Sequence, residues 1–115
     1  MIAGSRTFNN YAKAQKIISD YLRKYYLDKE IVVISGGCRG ADKIGEQYAR
    51  ENGLKKITFK AEWEKYGRAA GPIRNEEMAK IADCVICFWD GKSAGTKSMI
   101  NLAKKYNKQV YINII

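Results

Sequence analysis

Short apolar runs rich in β-branched and aromatic residues alternate along the chain with longer stretches whose apolar positions recur every three or four residues. Met1-Ile2-Ala3 reads as the end of a first strand that is short or begins before these residues. Asn9 or Asn10 then caps a helix whose inward stripe is Tyr11, Ala14, Ile17, Ile18, Tyr21, Leu22 and Tyr25. Residues 31–35 make a second strand, apolar without alternation, as expected where both faces of a parallel sheet are covered. A helix follows from Ala41 to about Asn52, with Ile44, Tyr48 and Ala49 inward and Gly53 at its end. Residues 57–60 alternate and so predict a strand near an edge. Residues 61–75 are the longest irregular segment, and long loops inside compact domains are usually functional. A third helix starts at Pro72 or Ile73, where a first turn tolerates proline, and runs to Ala82. Residues 84–89 give a fourth strand and 110–115 a fifth. The helix between them turns Met99, Ile100, Ala103 and Tyr106 inward and closes at Asn107.

Strand–helix alternation of this kind implies one α/β domain over residues 1–115, a three-layer sandwich with a parallel five-stranded sheet and helices on both faces. Loops leaving the carboxyl ends of such strands share one edge, where ligands bind. Four glycine loops leave strands there, at residues 4–8, 35–42, 66–75 and 90–96, so their polar side chains are expected to converge. In the second loop a β-branched run stops at Gly36-Gly37, and a helix opens at Ala41 or Asp42. That is the shape of a phosphate cradle: glycines let the backbone turn sharply, free N–H groups face an anion, and Arg39 adds a planar donor fork. Neither the dinucleotide glycine spacing nor the Gly-Lys-Ser/Thr ending of a Walker loop is present, so a plain strand-to-helix turn remains the alternative.

Composition narrows the class. With 46% hydrophobic and 29% charged residues in 115, the chain has the make-up of a globular protein. No apolar run approaches the ~20 residues that cross a bilayer, and no charged-then-apolar leader precedes the first glycine, so a cytoplasmic protein without a membrane partner is expected. The net charge of +9, from 21 Lys and Arg against 12 Asp and Glu, favours phosphate-bearing partners without separating a nucleotide from a polynucleotide. Most lysines fall on solvent faces of helices, whereas Arg6, Arg39, Arg68, Arg74, Lys92 and Lys97 lie in the glycine loops. Cys84 and Cys87 have metal-knuckle spacing but sit on a strand, where residues three apart face opposite sides. With no histidine available, they read as core, and no metal site is expected. Cys38 is a loop filler or a thiol of lowered pKa near a helix N-terminus.

The loops carry a resemblance. Gly4-Ser5-Arg6-x-Phe8, Ser35-Gly36-Gly37-x-Arg39-Gly40-Ala41-Asp42, Trp63-x-x-Tyr66-Gly67 with Ala70-Gly71 and Arg74-Asn75-x-x-Met78, Ala82-Asp83, and Phe88-Trp89-Asp90-Gly91-x-Ser93-x-Gly95-Thr96 appear in order along nearly the whole chain. Together they resemble the SLOG superfamily of Rossmann-like nucleotide-binding domains, in its small YspA-related, DUF2493-type branch. The resemblance implies a Rossmann-like fold holding a nucleotide or ADP-ribose-like ligand at the carboxyl edge, with no required cofactor. Among similar groups, LOG proteins hydrolyse nucleoside monophosphates, Smf (DprA) proteins bind single-stranded DNA, and others sense ADP-ribose-like signals. The hydrolytic pattern places a Glu three positions after the glycine-loop Thr; here that position, after Thr96, is Met99. Glu76, Glu77, Asp42 or Asp90 could replace it geometrically, though nothing in the sequence says so, and no catalytic residue is assigned.

Three functions follow. The leading one is a nucleotide-binding module, a sensor or sequestering domain, that uses Gly4, Ser5, Arg6, Ser35, Gly36, Gly37, Arg39, Gly40, Asp42, Arg74, Asn75, Asp90, Ser93, Gly95 and Thr96. Gly36, Gly37, Gly40 and Arg39 would hold a phosphate, and Ser93, Gly95 and Thr96 a second phosphate or a ribose. Arg6 and Arg74 would neutralise the ligand, while Asp42 either contacts it or caps its own helix. Trp63, Tyr66 or Trp89 would stack a base or serve as packing. The others are a nucleotide N-glycosidic or phosphate hydrolase, against which the absence of His counts, and single-stranded nucleic-acid binding. Tyr25, Tyr26 and Tyr106 are candidates for a homo-oligomer interface or plain surface residues.

Overall fold

In the computed structural model, which describes residues 1–115, the strands are β1 (Ile2–Gly4), β2 (Val32–Ser35), β3 (Lys55–Thr58), β4 (Cys84–Trp89) and β5 (Gln109–Ile114). The helices are α1 (Tyr11–Tyr25), α2 (Ala41–Glu51), the single turn α3 (Trp63–Tyr66), α4 (Ala70–Ile81) and α5 (Ala94–Lys105). Alternation along the strands divides the core between two faces. Ile2, Val33, Ile86 and Phe88 pack with Ala14 and Ile18 of α1 and with Ile44 and Tyr48 of α2. Ala3, Ile34, Val85 and Cys87 pack with Met78 and Ala79 of α4 and with Met99, Ile100 and Ala103 of α5. Helices therefore cover both faces, as the unbroken apolar strands require.

All the ladders are parallel, but they do not form one sheet. Hydrogen bonds join β1, β4 and β5 in the order β1-β4-β5 and, separately, β2 with β3. The expected five-stranded sheet is thus corrected to a three-stranded sheet beside a two-stranded pair. The break falls at β1, which has three residues and runs its ladder with β4 from Ile2↔Ile86 to Gly4↔Phe88. So short a strand offers a second parallel neighbour too few evenly spaced N–H and C=O groups for another ladder. Side chains close the seam instead, with α2 packed across both β1 and β2. An apolar cavity of about 680 Å³, lined among others by Ile2, Val33, Tyr26 and Cys84, lies along it.

Local signals set most boundaries. Asn10 caps α1, its side chain accepting from the Lys13 amide at 3.1 Å. The left-handed Asn107 (φ 58°) follows the end of α5. Two segments depart from the pattern. β3 sits two residues earlier than its alternation predicts, because pairing with β2 from Val32↔Lys55 to Ser35↔Thr58 sets its limits. The stretch at 61–75 is largely helical: α3 leads through a 3-10 turn at Gly67–Ala69 into α4, which begins at Ala70 and holds Pro72 within its first turn, where no N–H is required. The tyrosines at the end of α1 turn towards β5, with the rings of Tyr21 and Tyr25 4.4 and 5.4 Å from that of Tyr111, and the Tyr26 hydroxyl 3.3 Å from the Tyr111 hydroxyl. Tyr106 donates to Glu76. No helix is long and apolar enough to cross a membrane.

Phe88 is fully buried and stacks on Phe8 with centroids 5.0 Å apart. Phe88→Ala is expected to cost about 3–5 kcal/mol, a large part of a small domain's stability. Urea unfolding monitored by far-UV circular dichroism measures it, and a loss below about 1 kcal/mol would contradict this packing.

Candidate functional site

The loops at the carboxyl edge are tied together at Ser5, only 2% exposed. Its amide donates to the Phe88 carbonyl at 2.9 Å, and its carbonyl accepts from the amides of Phe8 at 3.2 Å and Ala41 at 3.3 Å. Its hydroxyl accepts from the Asp90 amide at 3.2 Å and shares a 3.1 Å hydrogen bond with the Ser93 hydroxyl. Gly40 makes this junction possible: a Cβ there would stand 2.3 Å from the Ser5 carbonyl oxygen, on a backbone at φ 79° that side chains rarely adopt.

Against this junction lies a cavity of about 340 Å³. Of the predicted ligand residues, Gly4, Arg6, Asp42, Arg74, Asn75, Asp90, Ser93, Gly95 and Thr96 line it. Arg74, on α4, is half-buried and anchored; its Nη1 donates to the Gly36 carbonyl at 3.1 Å and to Cys38 Sγ at 3.6 Å, and its Nε to Asn75 Oδ1 at 3.3 Å. Opposite, α5 begins with no side-chain cap on its first amides. Ala94, Gly95 and Thr96, whose N–H groups no helix can satisfy internally, line the cavity, and nothing lies within 4 Å of a Cβ placed on Gly95. An uncapped first turn carries partial positive charge suited to an anion.

Asp90 holds that turn in shape. Its Oδ1 accepts from the amides of Lys92 and Ser93, both at 2.8 Å, and its Oδ2 from the Ser93 hydroxyl at 3.0 Å. Those backbone donors hold its carboxyl below the usual carboxylate range. Asp42 is shifted the other way. Burial raises its carboxyl, against the opposing pull of the Cys38 amide, bonded at 3.1 Å, and of Arg74.

The remaining predicted residues lie outside the cavity. The loop at 35–42 closes on itself: the Gly37 amide donates to Ser35 Oγ at 3.0 Å, the Cys38 amide to Asp42, and the Ala41 amide to Ser5. Asp42 therefore ties the loop before α2 and makes no cap on its helix. Ser35 is fully buried and donates to Glu46 Oε2 at 3.0 Å. Gly36 offers its carbonyl to Arg74, and a Cβ on it would meet Asp42 Oδ2 at 2.9 Å. Arg39 points to a neighbouring groove. None of the three stacking candidates lines the cavity: Trp89 donates its indole N–H to the Ser93 carbonyl at 3.1 Å and packs in the core, while Trp63 and Tyr66 are exposed on α3. The apolar wall instead holds all three methionines of the chain, Met1, Met78 and Met99. Their legible signal is the spacing of Arg74 and Met78, four apart on one helix face. Of the carboxylates weighed against the missing Glu, Asp42 and Asp90 reach the cavity, Glu76 pairs with Tyr106 and Lys105, and Glu77 is exposed.

A profile of the YspA, cpYpsA-related SLOG family matches residues 1–66, more than half of the chain. The Gene 61 protein of Mycobacterium phage D29 is 33% identical over 111 residues, covering 91% of this chain and 87% of the phage protein. Among solved structures, DNA processing protein A (DprA) from Streptococcus pneumoniae superposes with a TM-score of 0.72 at 20% identity over 96% of this chain, which spans 48% of that protein, about half. At that identity the likeness is one of fold, and it is to a Rossmann-like α/β domain. With a profile match over more than half of its residues, the chain belongs to the YspA, cpYpsA-related SLOG family.

Proposed function

We propose that the cavity of about 340 Å³ binds a nucleotide or nucleotide-derived ligand, and that the protein acts as a sensor or sequestering module. The observation that carries this reading is the pairing of an anchored guanidinium, Arg74, with the uncapped first turn of α5 across one cavity. A phosphate between them would accept from the amides of Gly95 and Thr96 and from the Arg74 fork, with Arg6 at the rim. The base or ribose would lie towards the apolar side of the cavity, beneath which Met78 and Met99 are buried. Binding is favoured over hydrolysis because Met99 stands in the carboxylate's place and Asp90 is committed to its own turn. No metal, and no cofactor beyond that ligand, is needed for this role.

A second reading, single-stranded nucleic-acid binding, draws on the net charge of +9 and on the fold shared with a protein named for DNA processing. Salt separates the two, since a polynucleotide neutralised by several cations loses affinity steeply with ionic strength and a mononucleotide does not.

Native mass spectrometry of freshly purified protein is expected to reveal a copurifying mass in the nucleotide range. Arg74→Ala should lower the affinity for that ligand by about 10- to 100-fold, as loss of a charge-assisted contact does. A variant that folds but binds undiminished would refute the placement.

The two aspartates titrate with opposite signs. The folded carboxyl of Asp90 is depressed, so its contribution to stability is present above the ordinary carboxylate range and is lost as pH falls through the folded value. Urea midpoints should therefore fall less between about pH 6 and pH 3 in Asp90→Asn, which starts lower, than in the wild type. The folded carboxyl of Asp42 is raised, so its charge opposes folding near neutrality and acid relieves it. Asp42→Asn should thus raise the midpoint at about pH 7, with an advantage that shrinks as pH falls.

A further inference from the structure

Arg6 and Thr7 line two cavities, the one described above and a neighbouring groove of about 530 Å³. The groove also receives Arg39 and Lys43, and no carboxylate lines it. Arg6 and Arg39 are exposed, and neither side chain has an ion-pair partner. Lys43 is shared only with Glu46, at 3.7 Å. Gly40, which follows Arg39, packs its backbone against that of Arg6, since a Cβ on it would stand 2.5 Å from the Arg6 Cα. Arg6 and Arg39 thus bring two unpaired guanidinium groups to one groove, with Lys43 beside them, and an anion there is attracted by all three.

Since Arg6 and Thr7 belong to both cavities, the two adjoin at these residues. We propose that the ligand carries two phosphate groups at separate positions, as a linear dinucleotide does. One phosphate lies between Arg74 and the start of α5, and the other on Arg6, Arg39 and Lys43, with the intervening nucleoside crossing at Thr7. This assignment rests on the nucleotide reading of the first cavity and adds to it the ligand's length and second charge.

Calorimetric titration of the full chain with 5′-AMP and with the 5′-phosphorylated adenosine dinucleotide, and with the thymidine pair in parallel, tests it. In at least one pair the dinucleotide is expected to bind about tenfold tighter, the gain of one further charge-assisted phosphate contact. The double variant Arg39→Ala/Lys43→Ala, changed only at exposed side chains, should erase that advantage while moving mononucleotide affinity by less than about twofold. Equal binding of mononucleotide and dinucleotide, or an advantage that survives the double variant, overturns the inference and leaves the first cavity's reading standing. No binding of either probe overturns both. A decanucleotide that gains about a hundredfold over the dinucleotide, well beyond the roughly ninefold that its overlapping registers supply, overturns the two-phosphate assignment in favour of a strand-length surface.

Discussion

A single buried residue, Ser5, bonds through its amide, its carbonyl and its hydroxyl to three different segments: the end of β4, the start of α2 and the turn before α5. Each such bond contributes about 1 kcal/mol net, but an orphaned partner buried here costs more, so the set tends to form together or not at all. The consequence is geometric. With the loop after β1 clamped to those after β2 and β4, Arg6, Asp42 and the first turn of α5 are presented to one cavity by backbone that cannot drift apart. Gly40 is the complement of Ser5, because the clamp closes only where no Cβ intervenes.

Much of the fold is legible because periodicity and burial report the same thing. Tyr11 to Tyr25 carries a helical stripe whose Ala14 and Ile18 are buried, and α1 occupies that span. The unbroken apolar run at 84–89 is β4, central in its sheet and covered on both faces. What pattern cannot convey is where a ladder stops. Whether β1 bonds to β2 depends on the length and alignment of three residues, and the limits of β3 on the register of its partner. The segment at 61–75 misleads for another reason: Gly67 and Gly71 look like breakers, yet one sits at a helix joint and the other packs in α4 with a would-be Cβ 3.4 Å from the Trp63 ring.

The site divides along the same line. That four loops share an edge follows from topology, and nine of the fifteen residues predicted from them line one cavity. Which polar groups remain free for a ligand does not follow, because a side chain's partner is chosen in three dimensions. Ser35, Gly37 and Asp42 look like ligand groups in sequence and are bonded to each other's loop or to Glu46 in the structure. Trp89 illustrates the aromatic version: its indole N–H finds the Ser93 carbonyl, so the ring packs inward.

The two helix N-termini at this edge make the distinction physical. Both follow glycine-rich turns, and both begin with orphan amides. At α2 the Ala41 amide is satisfied by the Ser5 carbonyl and the preceding loop by Ser35 and Asp42, which puts a carboxylate where an anion would have to sit. At α5 the acidic residue, Asp90, stands before the helix and binds the amides of Lys92 and Ser93, leaving those of the first turn uncapped and with no acid in it. A carboxylate that precedes the turn shapes an anion site, whereas one within the first turn occupies it. On this ground the proposed phosphate is placed at α5, and the glycine pair after β2 holds Arg74 through the Gly36 carbonyl.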